Sequence, residues 1–230
     1  MDRRIGIGLA VMLALGAMGV ARAYELNDVR LESSTGAGPH TALLVVDFWP
    51  YNEYADSFAF AVQFEAETIT GRQLLDTVVA ADQGFSYAAP DGFITDIWYI
   101  RDGTTYHTGY DWPASYWSYW VSTDFGQTWE YSMWGIDFRT LADGDSDGWL
   151  GQPGDDYTSE PVTPVWIVGD MNCDDHVDFG DINWFVMALS QPGVYLELQP
   201  TCRILNGDIN DDGQLDFGDI NPFVALLSQP

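Results

Sequence analysis

The chain has 230 residues, of which 47% are hydrophobic and 15% aromatic, so it is long and apolar enough to bury a substantial core. Its 35 acidic residues outnumber its 8 basic residues, all of them Arg, and give a formal net charge of −27. Because such a surface repels nucleic acids and anionic membranes and attracts divalent cations, we expect no nucleic-acid partner.

Residues 1–23 form a predicted export signal. Arg3 and Arg4 precede an apolar run over residues 5–20, and an Ala-Arg-Ala box that ends at residue 23 fits the small-x-small cleavage rule. A membrane anchor is the alternative, but the apolar run is shorter than the roughly 18 residues that a spanning helix needs. We therefore predict a mature chain that starts at Tyr24, has no membrane span, and is secreted or held at the cell surface.

Residues 24–150 are predicted to form a β-rich domain. β-Branched and aromatic residues predict strands over residues 41–48, 57–66, 93–101, 115–123 and 128–134. Pro50 and Asn52 mark residues 49–56 as a turn, and residues 124–127 form a predicted hairpin turn between the last two strands.

One helix is predicted in this domain, over residues 73–81, where the apolar residues follow helical spacing and Thr70 is a suitable N-cap. The order of strand, strand, helix and further strands, with the Thr-Gly-x-x-Leu-Leu helix start, resembles the β-grasp-like small domain of transcobalamin-type cobalamin carriers over residues 40–150. The resemblance implies an α+β fold in which one helix lies on a mixed or antiparallel sheet.

The segment 98–134 is rich in aromatic residues. Tyr116 and Trp120 are predicted to face one side of a strand, and Trp117 and Tyr119 the other. One interpretation is that one set of rings is exposed and binds a carbohydrate or a flat small ligand. The other is that the rings form a core and a second face that a neighbouring loop covers.

Residues 143–148 (Asp-Gly-Asp-Ser-Asp-Gly) begin like a calcium loop, but the later ligand positions are Gly151 and Gly154. We interpret this segment as an acidic turn, with weak calcium binding as the alternative. Three prolines within residues 151–168 predict a short linker after the β-rich domain.

The last part of the chain, residues 169–230, contains two near-identical segments that are offset by 38 residues (170 to 208). In each, Asp and Asn residues fall at positions 1, 3, 5, 9 and 12 of a twelve-residue calcium loop, and position 7 is expected to contribute a backbone carbonyl. The predicted ligands are Asp170, Asn172, Asp174, His176, Asp178 and Asp181 in loop 1 (170–181), and Asp208, Asn210, Asp212, Gln214, Asp216 and Asp219 in loop 2 (208–219). His176 and Gln214 would contribute backbone carbonyls.

These loops predict two bound Ca²⁺ ions, because calcium prefers six to eight oxygen ligands on a tight loop. Position 6 requires a sharp turn, which Gly213 suits better than Asp175, so loop 2 is predicted to be the tighter site. An acidic surface loop without a metal is the alternative.

Each loop leads into a predicted amphipathic helix. The apolar residues at positions i, i+3, i+4 and i+7 are Ile182, Phe185, Val186 and Leu189 after loop 1, and Ile220, Phe223, Val224 and Leu227 after loop 2. No comparable amphipathic helix is predicted before either loop. Each repeat is therefore a loop followed by a helix, and the two apolar stripes are expected to bury each other.

The duplicated loop and helix resemble type I dockerin domains over residues 169–230. The resemblance implies a small all-α module that binds two calcium ions and docks onto a cohesin-like or cell-surface protein. The family's docking positions hold Phe179-Gly180, Met187, Phe217-Gly218 and Ala225 in this chain. We expect Phe179 and Phe217 to pack inward between the helices; an exposed apolar patch for a different partner is the alternative.

Cys173 and Cys202 are the two cysteines of the chain. In an exported protein such a pair predicts a disulfide. The alternative, a soft-metal site formed by Cys173 and His176, is disfavoured because the surrounding ligands are hard oxygens.

No catalytic motif stands out in the sequence. The histidines are His40, His107 and His176, and the chain has neither a Gly-x-Ser-x-Gly elbow nor a His-Glu-x-x-His helix. The predicted function is therefore that of an exported, calcium-binding scaffold or binding protein with a dockerin-like module, linked to extracellular polysaccharide utilisation or cell-surface assembly. The alternative is a secreted carbohydrate-active enzyme that carries a dockerin.

Overall fold

The computed structural model describes residues 24–48, 57–156 and 158–228. The fold is mixed α+β, with strands concentrated in residues 24–168 (the sheet region) and short helices in residues 169–228 (the repeat region). The predicted export signal and the predicted turn at 49–56 lie outside the described residues. None of the described helices is both long enough and apolar enough to cross a membrane.

The strands of the sheet region are β1 (Leu31–Gly36), β2 (His40–Phe48), β3 (Ser57–Phe64), β4 (Ile69–Thr70), β5 (Phe85–Ala88), β6 (Asp96–Arg101), β7 (Thr104–Gly109), β8 (Tyr116–Ser122), β9 (Glu130–Tyr131), β10 (Thr140–Leu141) and β11 (Ser146–Gln152). The helices are α1 (Gly71–Ala81), α2 (Ile182–Ser190), α3 (Pro192–Leu198) and α4 (Ile220–Leu226). Short 3-10 turns occupy Leu26–Asp28, Phe179–Asp181, Ile204–Gly207 and Phe217–Asp219.

Six strands form the main sheet, in the order β1-β3-β2-β11-β8-β9. Strand β2 is antiparallel to β3 and parallel to β11, and β11 is antiparallel to β8, so the sheet is mixed. A smaller sheet, β5-β6-β7, and the pair β10-β4 complete the sheet region.

Helix α1 packs on one face of the main sheet. The Thr70 hydroxyl accepts a bond from the Gln73 N–H at 3.2 Å, and the Gln73 side chain accepts one from the Thr70 N–H at 2.8 Å, which confirms the predicted N-cap. Leu74, Leu75 and Val78 are buried in the core between the helix and the sheet. A helix on a mixed sheet is therefore present, and the finer resemblance to a β-grasp domain stays a prediction.

The other face of the main sheet is also covered. Trp117 and Tyr119 belong to the core beneath α1, whereas Trp120 packs with Leu43 and Leu150 in a second core on the opposite side. These three rings are buried. The interpretation in which the rings of this strand form a core and a covered second face is therefore correct for them.

Strand β11 runs through the segment that the sequence predicts to be an acidic turn and the start of a linker. Asp143 accepts a bond from the Thr41 N–H at 2.7 Å, and Asp145 accepts one from the Ala142 N–H at 3.0 Å. These carboxylates therefore support the turn before β11, and weak calcium binding by this segment stays the alternative prediction. Asp147 is buried within the strand.

The end of the predicted linker packs on the sheet region. The Arg30 N–H donates to the Pro164 carbonyl at 2.8 Å, and Val29 forms a β-bridge with Val165. Asp47 accepts a bond from the Val162 N–H at 2.9 Å. The segment is consequently part of the sheet region, which corrects its prediction as a linker.

The predicted strand at 128–134 is confirmed only as the two residues of β9. Strand β9 pairs with β8 as predicted, with Trp120 opposite Tyr131. The Ser132 N–H donates to the Tyr119 carbonyl at 2.8 Å, and the chain then leaves the sheet. Residues 132–138 form a loop against the segment before β6.

The repeat region has a small core of its own. Its buried residues are Met171, Phe185, Ala188, Tyr195, Cys202 and Phe223. Phe185 of α2 and Phe223 of α4 stack with their ring centroids 4.1 Å apart, which confirms that the two helices after the loops meet. The predicted disulfide between Cys173 and Cys202 is present.

Helix α3 precedes loop 2, where the sequence predicts no comparable amphipathic helix. It begins at Pro192, a favourable first helical residue, but of its seven residues only Tyr195 is buried. One buried residue produces no apolar period, which explains why the sequence pattern did not reveal it. The Tyr195 hydroxyl donates to the Met171 carbonyl at 3.0 Å and ties α3 to loop 1.

Candidate functional site

Loop 1 is organised by its first and last carboxylates. Asp181 accepts bonds from the N–H groups of Met171 at 2.7 Å, Asn172 at 3.1 Å and Asp178 at 2.9 Å. Asp170 accepts bonds from the Asp174 N–H at 3.3 Å and from the position-6 N–H at 3.0 Å. The two ends of the loop are thus closed on each other by backbone donors.

Loop 2 repeats this arrangement 38 residues later. Asp219 accepts bonds from the N–H groups of Ile209 at 2.8 Å, Asn210 at 3.0 Å and Asp216 at 2.9 Å. Asp208 accepts bonds from the position-5 N–H at 3.0 Å and the position-6 N–H at 2.8 Å. The duplication visible in the sequence is therefore also a duplication of loop geometry.

The remaining predicted ligands lie nearer the surface. Asn172 and Asn210 each accept a bond from the position-5 N–H, and Asp178 and Asp216 each accept one from the glycine N–H two residues later. Asp174 and Asp212 accept bonds from the N–H groups of His176 and Gln214, respectively. The His176 ring is exposed and its Nδ1 lies 2.8 Å from the Asp174 carbonyl oxygen. The contribution of the His176 backbone carbonyl to the loop stays a prediction.

Four of the loop carboxylates are buried without a cationic partner. Asp170, Asp181, Asp208 and Asp219 are buried, and no Arg or His side chain within the described residues forms an ion pair with them. Burial raises the pKa of Asp170 to about 6 and also raises the pKa of Asp181, and each is further raised by a neighbouring loop carboxylate. A buried carboxylate is stable in its charged form when hydrogen-bond donors, a cation or a metal ion compensate its charge.

The donor chemistry of both loops fits calcium. All side-chain ligands are carboxylate or amide oxygens, which hard divalent cations prefer. Within the residues that the structure describes, no group of three or more His, Cys, Asp or Glu side chains is arranged to hold a metal ion. In this arrangement the carboxylate oxygens are directed to backbone N–H groups.

Position 6 is Asp175 in loop 1 and Gly213 in loop 2, and the structure gives a reason for the Asp that the sequence alone did not. Both Asp175 and Gly213 have positive φ, at 66° and 87°. Asp175 is conformationally the less favourable residue, but its carboxylate forms an ion pair with Arg30 of the sheet region at 2.6 Å. Arg203 also contacts the sheet region, through the Asn27 carbonyl at 3.0 Å. Loop 1 is thereby fixed to the sheet region.

The two helices that follow the loops bury only part of their apolar stripes. A groove of about 190 Å³ between α2 and α4 is lined by Ile182, Phe185, Val186, Leu189, Ile220, Phe223, Val224 and Leu227. Val186 and Val224 are exposed, whereas Phe185 and Phe223 are buried beneath them. The expectation that the stripes bury each other is therefore correct only for the inner residues.

Phe179 and Phe217 correct the expectation that they pack inward. They are 75% and 81% exposed, respectively. Each begins a 3-10 turn whose third residue, Asp181 or Asp219, is directed into the loop instead. Because the buried position of the turn is taken by Asp181 or Asp219, the phenylalanine is left on the surface, three residues before the first groove residue of the following helix.

One cavity of the sheet region is lined by a histidine and a serine. His107 lies 3.4 Å from Asp96 and stacks on Trp98, and Ser115 lines the same cavity as His107. The Ser115 hydroxyl donates to the Gly109 carbonyl at 2.6 Å and so is engaged with the backbone. His40, the first residue of β2, packs against the ring of Phe64, the last residue of β3.

Comparison of the chain with protein-family models, with curated proteins and with solved structures gives no match. Its functional interpretation therefore depends on the loop geometry described above and on the sequence resemblance.

Proposed function

We propose that the repeat region binds two calcium ions, one in each loop, and attaches an exported protein to a partner. The observation that carries this proposal is the set of four buried loop carboxylates that form no ion pair with a cationic side chain of the residues the structure describes. A calcium ion in each loop supplies the missing charge, and its binding free energy then contributes directly to the folding of the region.

The docking surface of this proposal is the apolar face formed by α2, α4 and the two exposed phenylalanines, Phe179 and Phe217 (the docking face). An apolar groove with large exposed rings beside it is typical of a protein-interaction surface. The surrounding chain is strongly acidic, so the partner that fits best has an apolar ridge with basic residues at its rim. A cohesin-like or cell-surface protein is the partner class that the dockerin resemblance implies.

The docking role is tested by substituting Phe179→Ser and Phe217→Ser together. Because both rings are exposed, the double variant should melt as the parent does and bind calcium normally, yet lose its partner. The measurement is quantitative capture from the native secretome with and without chelator, followed by calorimetry with the captured protein. The matched control is Leu196→Ser with Leu198→Ser, two exposed apolar residues of α3 outside the groove.

The outcome that contradicts the docking proposal is equally specific. Partner binding that survives the Phe179→Ser and Phe217→Ser changes, or that the α3 control abolishes to the same extent, would locate the interface elsewhere. Loss of the melting transition in the double variant would show that the phenylalanines support the fold.

The proposed activity is binding, and the sheet region is the cargo that the repeat region attaches. A role in extracellular polysaccharide utilisation or cell-surface assembly follows from the family resemblance. The alternative, a secreted carbohydrate-active enzyme, is tested by assaying the chain on a polysaccharide panel. Turnover that one Asp or Glu substitution outside the two loops abolishes would favour the enzyme.

A further inference from the structure

A cleft of about 350 Å³ opens at the edge of the main sheet, between the loop after β9 and the segment before β6. Its lining is almost entirely aromatic and apolar. The buried part of the lining includes Trp117, Tyr119 and Trp149, and the exposed part includes Phe93, Met133 and Trp134. This cleft (the aromatic cleft) belongs to the sheet region and is remote in sequence from both calcium loops.

The mouth of the aromatic cleft exposes large apolar side chains. Phe93 is 61% exposed, Met133 83% and Trp134 70%. Burying such side chains against each other would be favourable, so their exposure around a concave surface marks a binding site. At the inner end, Tyr119 and Trp149 stack with their ring centroids 4.1 Å apart.

The two segments that form the mouth are held together by the backbone. The Ile136 N–H donates to the Gly92 carbonyl at 3.0 Å, and a Cβ on Gly135 would lie 2.8 Å from the same oxygen. Asp137 in this loop is bound by Arg72 at the start of α1, with an Nη2 to Oδ2 distance of 3.0 Å. The mouth is therefore built on the rigid helix and sheet, as a preorganised site requires.

The polarity of the lining selects the ligand. None of the described residues that line the cleft is charged. The Nε1 donor of Trp149 is buried and has no acceptor among the described residues, whereas the Ser132 hydroxyl already accepts a bond from the Trp134 N–H at 3.3 Å. A sugar ring would bring several hydroxyls into this lining, and each would be costly to bury unpaired. The chain's net charge of −27 disfavours an anion.

We propose that the aromatic cleft binds an uncharged, planar aromatic molecule that carries an oxygen acceptor. The ring stacks on the aromatic lining, and its oxygen accepts the hydrogen bond of Trp149 Nε1. Between the two ligand classes predicted for the aromatic segment, a carbohydrate and a flat small molecule, this geometry points to the second. The site is independent of the calcium proposal, since it shares no residue with the loops.

The test measures binding to the calcium-saturated full chain by tryptophan fluorescence and calorimetry. The probes are coumarin, which has a planar ring and a carbonyl, naphthalene, which has a similar size and no acceptor, methyl glucoside as the sugar, and coumarin-3-carboxylate as the anion. Coumarin should bind roughly fivefold more tightly than naphthalene because of the added hydrogen bond. The sugar and the anion should bind more weakly than either.

Variants locate the site. Trp134→Ala at the exposed mouth should weaken coumarin binding at least tenfold, whereas the control Phe138→Ala, at an exposed phenylalanine outside the lining, should leave it unchanged. Trp149→Phe should make coumarin and naphthalene bind equally, with a melting curve to check the fold; if this variant does not fold, Trp134→Ala decides alone. Methyl glucoside binding more tightly than coumarin, absence of coumarin binding, or an unaffected Trp134→Ala variant would each overturn the proposal.

Discussion

The sheet region and the repeat region both bury carboxylates, but they stabilise them in different ways. In the sheet region, Asp147 accepts the Tyr119 hydroxyl at 2.7 Å, has the Arg139 guanidinium at 3.5 Å, and has its pKa raised by burial to about 7. In the repeat region, Asp181 and Asp219 are fully buried and are contacted by backbone N–H groups. The buried carboxylate of the sheet region is therefore contacted by side chains. Those of the repeat region are contacted by backbone N–H groups and are the proposed calcium ligands.

The hydrophobic cores of the two regions also differ, in size. One large hydrophobic cluster and a smaller one cover the two faces of the main sheet, whereas the repeat region buries a single small cluster. A region of about 60 residues seldom gains enough stability from apolar burial alone, and metals or disulfides commonly supplement it. The Cys173–Cys202 disulfide is one such supplement, and bound calcium is proposed as the other.

The largest expected effect is that of calcium removal on the repeat region. With excess chelator, amide hydrogen exchange in α2 and α4 should accelerate at least 100-fold, corresponding to the loss of about 2.7 kcal/mol of ligand-linked stability. Exchange in β2 and β3 should not change, because that core contains no calcium ligand. Equal protection of α2 and α4 with and without chelator would remove the proposed contrast between the regions.

The disulfide should have the next largest effect, and again only in the repeat region. Replacing Cys173 and Cys202 by serine opens a loop with a sequence separation of 29 residues, which should cost roughly 3–4 kcal/mol in the chain-entropy description. Urea unfolding followed by exchange in α2 and α3 measures this loss. A similar loss of protection in β2 would mean that the two regions unfold as one unit.

The two regions should also respond to pH with opposite signs. The pKa of Asp147 is raised in the folded state, so folding favours its protonated form; this stability is fully present below the unfolded pKa near 4 and is lost as the pH rises through about 7. The sheet region should thus lose a few kcal/mol over this range, and Asp147→Asn should flatten the dependence. The calcium-loaded repeat region should instead weaken as the pH falls, because protons compete with calcium for carboxylates. Melting curves at several pH values separate the two trends.

The smallest expected effect concerns the ion pair that joins the regions. Arg30→Ala should destabilise the repeat region by about 0.5–1 kcal/mol, the range of a partly exposed ion pair. Asp175→Gly removes the same pair but relieves the positive φ at this position, so its net effect should be smaller. A double-mutant cycle on Arg30 and Asp175, measured by thermal melting of the repeat region, should give a coupling energy of the same size. A coupling energy of zero would mean that this ion pair does not stabilise the contact between the two regions.

Elements set by local patterns could be predicted from the sequence, and elements set by distant contacts could not. Thr70 and the apolar spacing after it define α1, because the cap and the stripe lie within one helix. Strand β11 was missed because Gly148 and Gly151 weaken the strand pattern. Gly148 is required by a residue distant in the sequence, because a Cβ at this position would lie 2.7 Å from the Trp129 side chain.

The candidate site shows the same division. The predicted ligand spacing of the loops follows from the sequence, and in the structure the last carboxylate of each loop accepts the same set of backbone N–H bonds. The partner of Asp175 could not be predicted, because Arg30 is 145 residues away in the chain. The orientation of Phe179 was predicted wrongly, because it depends on which residue of the 3-10 turn occupies the interior.

Calcium titration of the full chain by calorimetry tests the central claim most directly, with Asp170→Ala and Asp208→Ala as matched variants at position 1 of each loop. We predict two bound ions for the parent and one for each variant, with Asp208→Ala removing the tighter site because Gly213 suits its turn. A parent chain that binds no calcium at millimolar concentration would contradict the account. Two ions bound to either variant would show that the ions lie outside the loops.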